Sequence, residues 1–381
     1  MIRTTNVRDG FIDTDNVRYV DEATFGRWTR RAVPLPGDVV LTREAPLGEV
    51  GIIRKAEPVF LGQRTIMYRA APEKLDPYFL MYSMLGDFIQ GQIRGYGSGS
   101  TVEHMRLPDC FNLQMPLPPL RTQRKIAAVL AAYDELIENN TRRIRILEEM
   151  ARRIYREWFV DFRYPGHEAV PLVESDLGPI PEGWTWTDLQ HLATETRVGV
   201  DPASVDPDTP YIGLAHMPEH SIAISEWGAA REASSRKYEY KQGQILFGKI
   251  RPYFHKVVVP PVDGLCSTDA IVISSRTHVC WGLVLAIVSS DAFVAEAVQG
   301  SQGTKMPRAN WSVLERLRVA VPDDALMSIF DSYMRQTVDL IHSLVMAGRN
   351  LRATRDVLLP RLISGDVDVS DLEIAILEPA A

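Results

Sequence analysis

Apolar residues recur at alternating steps of four and three along residues 120–162, and this spacing constrains the fold more than any other feature of the chain. It is the 3.5-residue spacing of a coiled-coil seam, along which two helices bury a narrow apolar stripe against each other. No Gly or Pro interrupts the segment, and at about 1.5 Å per residue the seam from Ile126 to Trp158 would form a rod roughly 50 Å long. Such a rod needs a partner. The seam begins with Ile126, Leu130, Tyr133, Ile137, Asn140 and Ile144.

A second series with the same register lies near the other end of the chain. Adding 200 to each number gives Leu326, Phe330, Tyr333, Thr337, Leu340 and Leu344. Its later members include small and hydroxylated residues, so it predicts the weaker seam. Two such helices, each following a globular stretch, predict an internal duplication packed as an intramolecular coiled coil. The alternative is that each helix is a long amphipathic core helix of its own domain.

Length and composition are those of a globular protein without a membrane span. The 381 residues suffice for two or three domains, and a content of 45% hydrophobic and 24% charged residues is ordinary. No apolar run approaches the roughly 18 residues of a spanning helix, and the opening MIRTTNVRDG is typical of neither a signal nor a transit peptide. The three cysteines form no CxxC pair, which favours a reducing cytoplasm.

The net charge of −7 argues against a freestanding nucleic-acid binder held by charge alone, because such proteins are usually basic. It leaves room for a local basic face, or for binding that is shared with a partner.

The two halves of the chain share an order of predicted elements: strands, a short helix, a Gly/Ser loop, a strand ending in Pro, and a long helix. Corresponding residues are separated by similar offsets, as in Gly37 and Gly243, or Pro118 and Pro322. A repeat of this length is a domain duplication. In the first half, we expect a helix over residues 77–93 and a strand over 113–120. In the second, we expect a helix over 283–298 and a strand in LRVAVP.

Three candidate chemical sites are weaker than their alternatives. GQILFGKI matches GxxxxGK, but Ile250 replaces the hydroxyl residue that a P-loop needs for Mg²⁺. GYGSG at residues 95–99 does not link a strand to a helix, so a flexible loop is favoured over a dinucleotide site. Cys266, His278 and Cys280 have no fourth ligand at zinc spacing.

Motifs for catalysis are otherwise missing from the sequence. It contains no GxSxG elbow, no HExxH and no Asn-Pro-Pro-aromatic string for methyl transfer to an amino group. We therefore predict that this chain alone is not an enzyme and carries no metal or cofactor.

Cations and hydroxyls recur at comparable places in both halves, on loops. Arg and Lys can contact phosphates or guanine, while Gln and Ser can reach base edges. Each residue alone is more typical of a solvated surface group, but the paired placement on two comparable domains raises the loops above that baseline as candidates for DNA binding. The candidates are Arg43, Arg64, Ser98, Ser100 and Thr101 in the first half, and Lys249, Arg251, Ser301, Gln302, Thr304 and Lys305 in the second.

The segment PLPPLRTQRKIAAVLAAYDELIENN resembles the helix signature of the specificity subunit of Type I restriction-modification systems. Gln123 and Asp134 fall on the signature's glutamine and aspartate, whereas Thr122 replaces its usual glutamate. GPIPEGWTW is similar to the opening of that family's target-recognition domain, and LLPRLISGDVDV to its closing segment.

The resemblance implies an α+β fold with two β-rich target-recognition domains separated by two long antiparallel helices, in an internal pseudo-twofold repeat. The corresponding limits are residues 1–119 for the first recognition domain, 120–165 for the first spacer helix, 166–324 for the second domain, 325–365 for the second helix and 366–381 for a tail. We expect the tail to be a short strand or a partly ordered end.

The resemblance also implies the function: a non-catalytic subunit that binds a bipartite site in double-stranded DNA. It would recruit modification subunits that use S-adenosylmethionine, and restriction subunits that use ATP and Mg²⁺. Outer helix faces bearing arginines are candidates for docking these partners, although a solvated face is an equal alternative. These arginines are Arg142, Arg143, Arg145, Arg152 and Arg153.

The chain departs from the family pattern in one respect. The PEGW string occurs once, before the second domain, and MIRTTNV lines up with YIGLAHM within that domain. The first domain thus lacks roughly thirty leading residues by comparison with the second half, counted as a repeat. This leaves three explanations: a late start, a truncated gene or a natural short form. The alternative function is a DNA-inactive scaffold that binds the modification subunit or exchanges domains.

Overall fold

A computed structural model describes residues 1–98, 103–301, 303 and 306–375. The chain forms two compact units, one of residues 1–137 with 351–381 and the other of residues 138–350. This division falls within the two long helices, whereas the sequence analysis assigned those helices to segments of their own. The predicted domain limits therefore stay a prediction.

The first unit contains a small antiparallel sheet with helices packed on it. Its elements are β1 (Val7–Arg8), β2 (Phe11–Ile12), α1 (Glu22–Trp28), β3 (Val39–Arg43), β4 (Leu47–Ile52), β5 (Thr65–Tyr68), α2 (Pro77–Leu85), α3 (Asp87–Tyr96), α4 (Leu107–Cys110) and the start of α5 (Leu120–Tyr155).

The Asp-Gly turn predicted near the start of the chain joins β1 and β2. Asp9 and Gly10 both have positive φ, 48° and 86°, as a two-residue type I′ hairpin turn requires. The hairpin lies close against β4, where a Cβ on Gly51 would meet the carbonyl oxygen of Phe11 at 2.5 Å. In the main sheet, β3 is central, between β4 and β5.

The second unit is larger and richer in strands. Its elements are β6 (Leu172–Val173), β7 (Ile180–Pro181), β8 (Thr185–Asp188), β9 (Ala193–Thr196), β10 (Gly199–Val200), β11 (Pro210–Ile212), β12 (Gly228–Ala229), β13 (Lys237–Tyr240), β14 (Ile245–Gly248), β15 (Val257–Val258), β16 (Gly264–Cys266), β17 (Ala270–Ser275), α6 (Trp281–Val288), α7 (Asp291–Gln299), α8 (Trp311–Leu314), β18 (Arg318–Val321) and most of α9 (Asp324–Ser364).

The central strands of the two units are paired alike. In the second unit β14 lies between β15 and β17, as β3 lies between β4 and β5. The register also corresponds, since Val39 faces Tyr68 and Ile245 faces Ile273. The unit adds β9 on the far edge of β17, and a second sheet in the order β10-β13-β16-β11-β12. The α+β fold predicted from the sequence is confirmed.

The alignment of MIRTTNV with YIGLAHM is supported by strand pairing. Ile2 forms a parallel bridge with Leu61 in the first unit, and Ile212 pairs in parallel with Cys266 in the second. The first unit thus has, at Ile2, the counterpart of the parallel pairing between β11 and β16 in the second unit.

The two long helices contact each other within each unit. Arg355 of α9 lies 2.7 Å from the carboxylate of Asp134 of α5 in the first unit. In the second, the ring of Phe330 packs edge-on against Phe159, which follows α5 in the π-helical turn Arg156–Val160, with centroids 4.7 Å apart. In the first unit, Lys125 near the start of α5 contacts Ser370 just after α9, while Asp134 further along α5 contacts Arg355, so the two helices run antiparallel there.

Burial along α9 differs from the predicted narrow seam. Phe330, Thr337 and Leu344 are buried as expected of a seam, but Leu340 is 40% exposed while Ile341 is only 1% exposed. The predicted position of Leu340 is therefore wrong. Phe330, Met334 and Val338 also join the core of the second unit, so α9 needs a stripe wider than a coiled-coil seam. The core-helix alternative thus describes part of its role.

Along α5, the predicted seam residues are buried to different degrees. Ile126, Leu130 and Ile137 are buried, whereas Tyr133, Asn140 and Ile144 are half-buried. Ile126 and Leu130 belong to the core of the first unit, together with Leu362 and Ile363 of α9. This helix, too, serves a domain core as well as its partner helix.

Three sequence-based element predictions are wrong in detail. The helix predicted over residues 77–93 is two helices, α2 and α3, which meet at Gly86 in an extended conformation. The helix predicted over 283–298 is likewise divided into α6 and α7, with Ser290 capping the second. Residues 113–119 form no strand, whereas LRVAVP forms β18, which pairs with β8. The described part of the first unit supplies no partner equivalent to β8.

The family signature residues are structural. The side chain of Gln123 is fully buried; its Oε1 accepts from the backbone of Asp76, and its Nε2 donates to the carbonyls of Lys74 and Pro118. Asp134, 2% exposed, accepts from the hydroxyl of Tyr82 at 2.6 Å as well as from Arg355. Burial, and the adjacent carboxylate, raise the pKa of Tyr82, which keeps the phenol protonated.

The segment that follows α9 is held by a buried lysine. The ammonium group of Lys125 donates to the carbonyls of Val369, Ser370 and Leu372 at 3.3, 2.6 and 2.8 Å. This contact orders residues up to 375 without a strand; residues 376–381 lie outside the described part of the chain.

Among the described residues, no single helix is long and apolar enough to cross a membrane. The pair formed by residues 278–288 and 291–299 passes that test only when its two members, bent by 68°, are taken together.

Replacing Asp134 by Ala should destabilise the first unit by about 3 kcal/mol, because it leaves the buried Tyr82 hydroxyl without its acceptor and removes the buried one of the two carboxylates that Arg355 contacts. Urea denaturation measures this change in the free energy of unfolding, with the slope of free energy against urea concentration held the same for both proteins. The control is Asp356→Ala, which removes a carboxylate 63% exposed that also contacts Arg355, and should cost less than about 0.5 kcal/mol. Equal effects of the two variants would show that the buried network does not stabilise the unit.

Candidate nucleic-acid interface

The Gly/Ser loop of the first unit is anchored at the end of β3. The backbone N–H of Met105 donates to the carbonyl of Arg43 at 2.9 Å, and Glu44 forms an antiparallel bridge with His104. Ser98 and His104 exchange two backbone hydrogen bonds, of 3.1 and 3.0 Å, which close the base of the loop. Ser98 and His104 are therefore held side by side at the end of the sheet.

The second unit repeats this geometry. The backbone N–H of Ala309 donates to the carbonyl of Lys249 at 2.9 Å, and that of Arg251 donates to Pro307 at 2.8 Å. Ile250 and Arg308 form the antiparallel bridge that corresponds to Glu44 and His104. In each unit, the strand end and the far side of a Gly/Ser loop are held together, although the sequences differ. We call each of these assemblies a loop cluster.

Some of the predicted cations are engaged within the protein. The guanidinium of Arg43 donates to the carbonyls of Met105 and Gln63 at 3.0 and 3.2 Å, and is half-buried. The ammonium of Lys249 donates to the carbonyl of Thr268. These two side chains brace their loop clusters, and contact with DNA would require them to leave, or share, those acceptors.

Other cations point to solvent. Arg64 is 56% exposed and lies 3.3 Å from the carboxylate of Glu44. Arg251 is exposed and has a positive φ of 49°, which turns the chain sharply after β14, just before the half-exposed Tyr253. An exposed guanidinium group is suited to phosphate contact, and an exposed aromatic ring is suited to stacking on a base.

The predicted hydroxyl and amide candidates are described only in part. Ser98 is exposed at the base of its loop. The hydroxyl of Ser301 donates to the carbonyl of Val298 at 2.7 Å, at the end of α7, where the backbone N–H of Ser301 donates to the same carbonyl at 3.2 Å. Ser100, Thr101, Gln302, Thr304 and Lys305 lie outside the described residues. The DNA-binding role of all these candidates stays a prediction.

The sequence analysis missed two residues that belong to the loop clusters. His104 is exposed on the far side of the first loop, and Arg308, 58% exposed, takes the same place in the second, 3.8 Å from Asp269. A sequence signal was present for Arg308, which lies two residues after the methionine that ends the second Gly/Ser loop, but the corresponding arginine of the first half is Arg106 and does not mark His104.

In the second unit, the residues considered for a P-loop or a zinc site lie in buried strands or beside the core, except for the exposed His278. Ile245–Gly248 of GQILFGKI form the central strand β14, which is not the loop before a helix that cradles phosphates. Cys266 is buried in β16, and burial raises the pKa of its thiol to about 12, so it is not a thiolate at neutral pH. Cys280 accepts a hydrogen bond from Thr277, while His278 is 81% exposed.

A family model matches part of the chain that contains these features. The model of the Type I restriction modification DNA specificity domain matches residues 28–149. This range contains β3, the first loop cluster and the signature residues Gln123 and Asp134.

Two curated relatives extend the match. The Type I restriction enzyme MjaIX specificity subunit of Methanocaldococcus jannaschii is 24% identical over 88% of this chain and 79% of its own length. The EcoDI specificity subunit of Escherichia coli is 25% identical over 68% of this chain and 62% of its own length.

A solved structure supports the fold. The crystal structure of the Type I restriction-modification S subunit from M. genitalium superposes with a TM-score of 0.53 at 14% identity, covering 87% of this chain and 83% of that one. Residues 28–149 thus match a Type I restriction modification DNA specificity domain, and the chain is similar in sequence to specificity subunits of Type I restriction enzymes and in fold to an S subunit.

Proposed function

We propose that this chain is the DNA-recognition subunit of a Type I restriction-modification complex and that each loop cluster reads one half of a bipartite site in double-stranded DNA. The observation that carries the proposal is that the same strand-end hydrogen bonds hold a Gly/Ser loop in both units. Two readers built on one plan, with different side chains, suit a site whose halves differ in sequence.

The two loop clusters would supply phosphate and base contacts in different ways. Arg64 and Arg308 are exposed cations beside a carboxylate, so each can exchange that partner for a phosphate. The loop residues differ between the two halves of the chain, as residues that read two different base sequences must, so we assign the base contacts to them. Phosphate contacts fix position, and base contacts fix sequence.

The partners belong to this proposal as well. We place the complex in the cytoplasm, with modification subunits that use S-adenosylmethionine and restriction subunits that use ATP and Mg²⁺, while this chain contributes no catalytic group. Sharing of DNA contacts with those subunits would offset the net charge of −7.

One face of α5 is suited to docking a modification subunit. Arg152 and Arg153 are paired with Glu149 at 3.2 and 2.7 Å, which lessens their attraction for a partner. Ile146 and Met150, one helical turn apart, are 49% and 46% exposed and lie among the exposed Arg142, Arg143 and Arg145. Protein–protein interfaces usually have an apolar centre and a polar rim, and methionine and arginine are enriched in them.

The test of the proposal is to mix the purified chain with its modification subunit and S-adenosylmethionine on a library of random duplexes. Sequencing of the methylated molecules should yield two short fixed blocks separated by a constant number of free base pairs. Recovery of the modification subunit with the chain, but with no enriched split motif, would identify a DNA-inactive scaffold instead.

Replacing Arg308 by Ala should weaken binding of the complex to DNA and lower the slope of log affinity against log salt by about 1, as for loss of one phosphate contact. Fluorescence anisotropy at several salt concentrations measures both quantities. Arg276→Ala is the matched control, because Arg276 is exposed and follows the opposite end of β17, about 20 Å from Asp269. Similar losses in both variants would place the contact elsewhere.

If the long helices set the separation of the half-sites, lengthening both should lengthen the unread spacer. Seven residues inserted after Ile137 and seven after Asn350 add about 10 Å to each helix, or about three base pairs of DNA. Site selection on random duplexes should show this longer spacer with unchanged half-sites. An insertion in α5 alone should abolish selection, because it puts the two helices out of register. An unchanged spacer in the double insertion would contradict the role of the helices.

A further inference from the structure

Two histidines and an aspartate converge in a cavity of the second unit that has no part in the proposed DNA recognition. The cavity, about 870 Å³, lies beside α5 and is lined by residues that include Arg152, Arg156, His220, His255 and Asp291. The nitrogen and oxygen ligand atoms of His220, His255 and Asp291 all lie within 4.8 Å of one another. They come from two loops and from the first turn of α7.

The tautomer of His255 is fixed by a backbone acceptor. Its Nε2 lies 2.9 Å from the carbonyl oxygen of Ser289, and a carbonyl oxygen can only accept. Nε2 therefore carries the proton, and the lone pair of the neutral ring is on Nδ1. Donation of the second ring nitrogen to a carbonyl is the arrangement that orients histidines bound to metals.

Nδ1 of His255, which carries the lone pair, faces a carboxylate oxygen that also can only accept. The distance from Nδ1 to Oδ1 of Asp291 is 3.4 Å, which is longer than an N–H···O hydrogen bond. Two ligands bound at about 2.0–2.1 Å to one tetrahedral metal ion are separated by about 3.3–3.4 Å. The spacing of these two atoms is thus that of neighbouring ligands on one ion.

His220 is held beside them by the backbone. Its N–H donates to the carbonyl of His255 at 3.0 Å, and the ring centroids are 4.5 Å apart. Both residues have a left-handed backbone, with φ of 55° and 49°, a conformation that is uncommon for histidine and clusters at functional sites.

A buried carboxylate of α5 secures the loop that bears His220. Glu148, 4% exposed, accepts from the N–H groups of Ile222 and Ala223 at 2.8 and 3.1 Å and from the hydroxyl of Ser221 at 2.7 Å. The ligand atoms are therefore positioned by contacts that do not depend on an ion.

We propose that His220, His255 and Asp291 bind a divalent transition-metal ion of the zinc class, with a fourth coordination position open to the cavity. Two imidazoles and a carboxylate are ligands that Zn²⁺ accepts, whereas Ca²⁺ and Mg²⁺ require mostly oxygen. Arg152 and Arg156 on the cavity wall would favour an anion or hydroxide at the open position. The ion would join the loops of His220 and His255 to the start of α7.

The experiment uses the full-length, tag-free chain after removal of metals with a chelator. Isothermal titration with ZnCl₂ should show one bound ion, and Zn²⁺ should raise the melting temperature. Titration with CoCl₂ should give the visible absorption of a four-coordinate nitrogen and oxygen site. Absence of a stoichiometric ion in all three measurements would overturn the proposal.

Variants separate this site from adventitious binding. Asp291→Ala changes a side chain that is 97% exposed, and His220→Asn keeps a residue that tolerates a left-handed backbone. Each should lower Zn²⁺ affinity at least about 100-fold, and should abolish the Co²⁺ absorption with little change in the melting temperature of the metal-free chain. His191→Asn, at an exposed histidine elsewhere in the same unit, should bind as the unmodified chain does. Equal binding by all variants would assign the metal to scattered surface groups and overturn the proposal.

Discussion

The rest of this structure depends on the burial of two long apolar helix faces. Neither α5 nor α9 could remain helical in isolation over its full length with so much apolar surface in water. Each covers part of that surface with the other helix and part with a domain core. The contacts of Phe159 with Phe330 and of Asp134 with Arg355 anchor the antiparallel pairing in the second and first units. Because a buried carboxylate without its cation is costly, the Asp134 contact also disfavours other registers.

The same two helices provide fixed supports for the elements that flank the Gly/Ser loops. Gln123 of α5 accepts from the backbone at the start of α2, and Asp331 of α9 accepts from the N–H of Gly282 at the start of α6 at 2.7 Å. Each long helix is therefore tied through a buried side chain to the short helices that precede a Gly/Ser loop. These contacts of Gln123 and Asp331 do not involve the loop side chains, so they hold the short helices in place whatever the loop sequence is.

Much of the fold was predictable because its signals are local. The spacing of apolar residues predicts both long helices, and β-branched runs after Gly predict β3 and β14. Features that depend on distant partners were not predictable. Residues 113–119 resemble β18 in sequence but form no strand, since β18 depends on pairing with β8. The exposure of Leu340 reflects the second surface against which α9 packs.

The candidate sites divide in the same way. Paired Gly/Ser loops with nearby cations were visible in the sequence, but the bracing roles of Arg43 and Lys249 follow from carbonyls that only the fold brings near. His220, His255 and Asp291 are far apart in the sequence, without a metal-binding spacing, and only the fold of the second unit brings them together.

If two separate readers share one chain, single substitutions in the Gly/Ser loops should each affect one half-site. Complexes carrying Thr101→Ala in the first loop or Gln302→Ala in the second would each select methylated sites from random duplexes. We predict that each variant weakens preference in one half of the motif, a different half for each, and leaves the other half and the spacer unchanged. Loss of preference in both halves with either variant, or a contiguous motif, would contradict the claim.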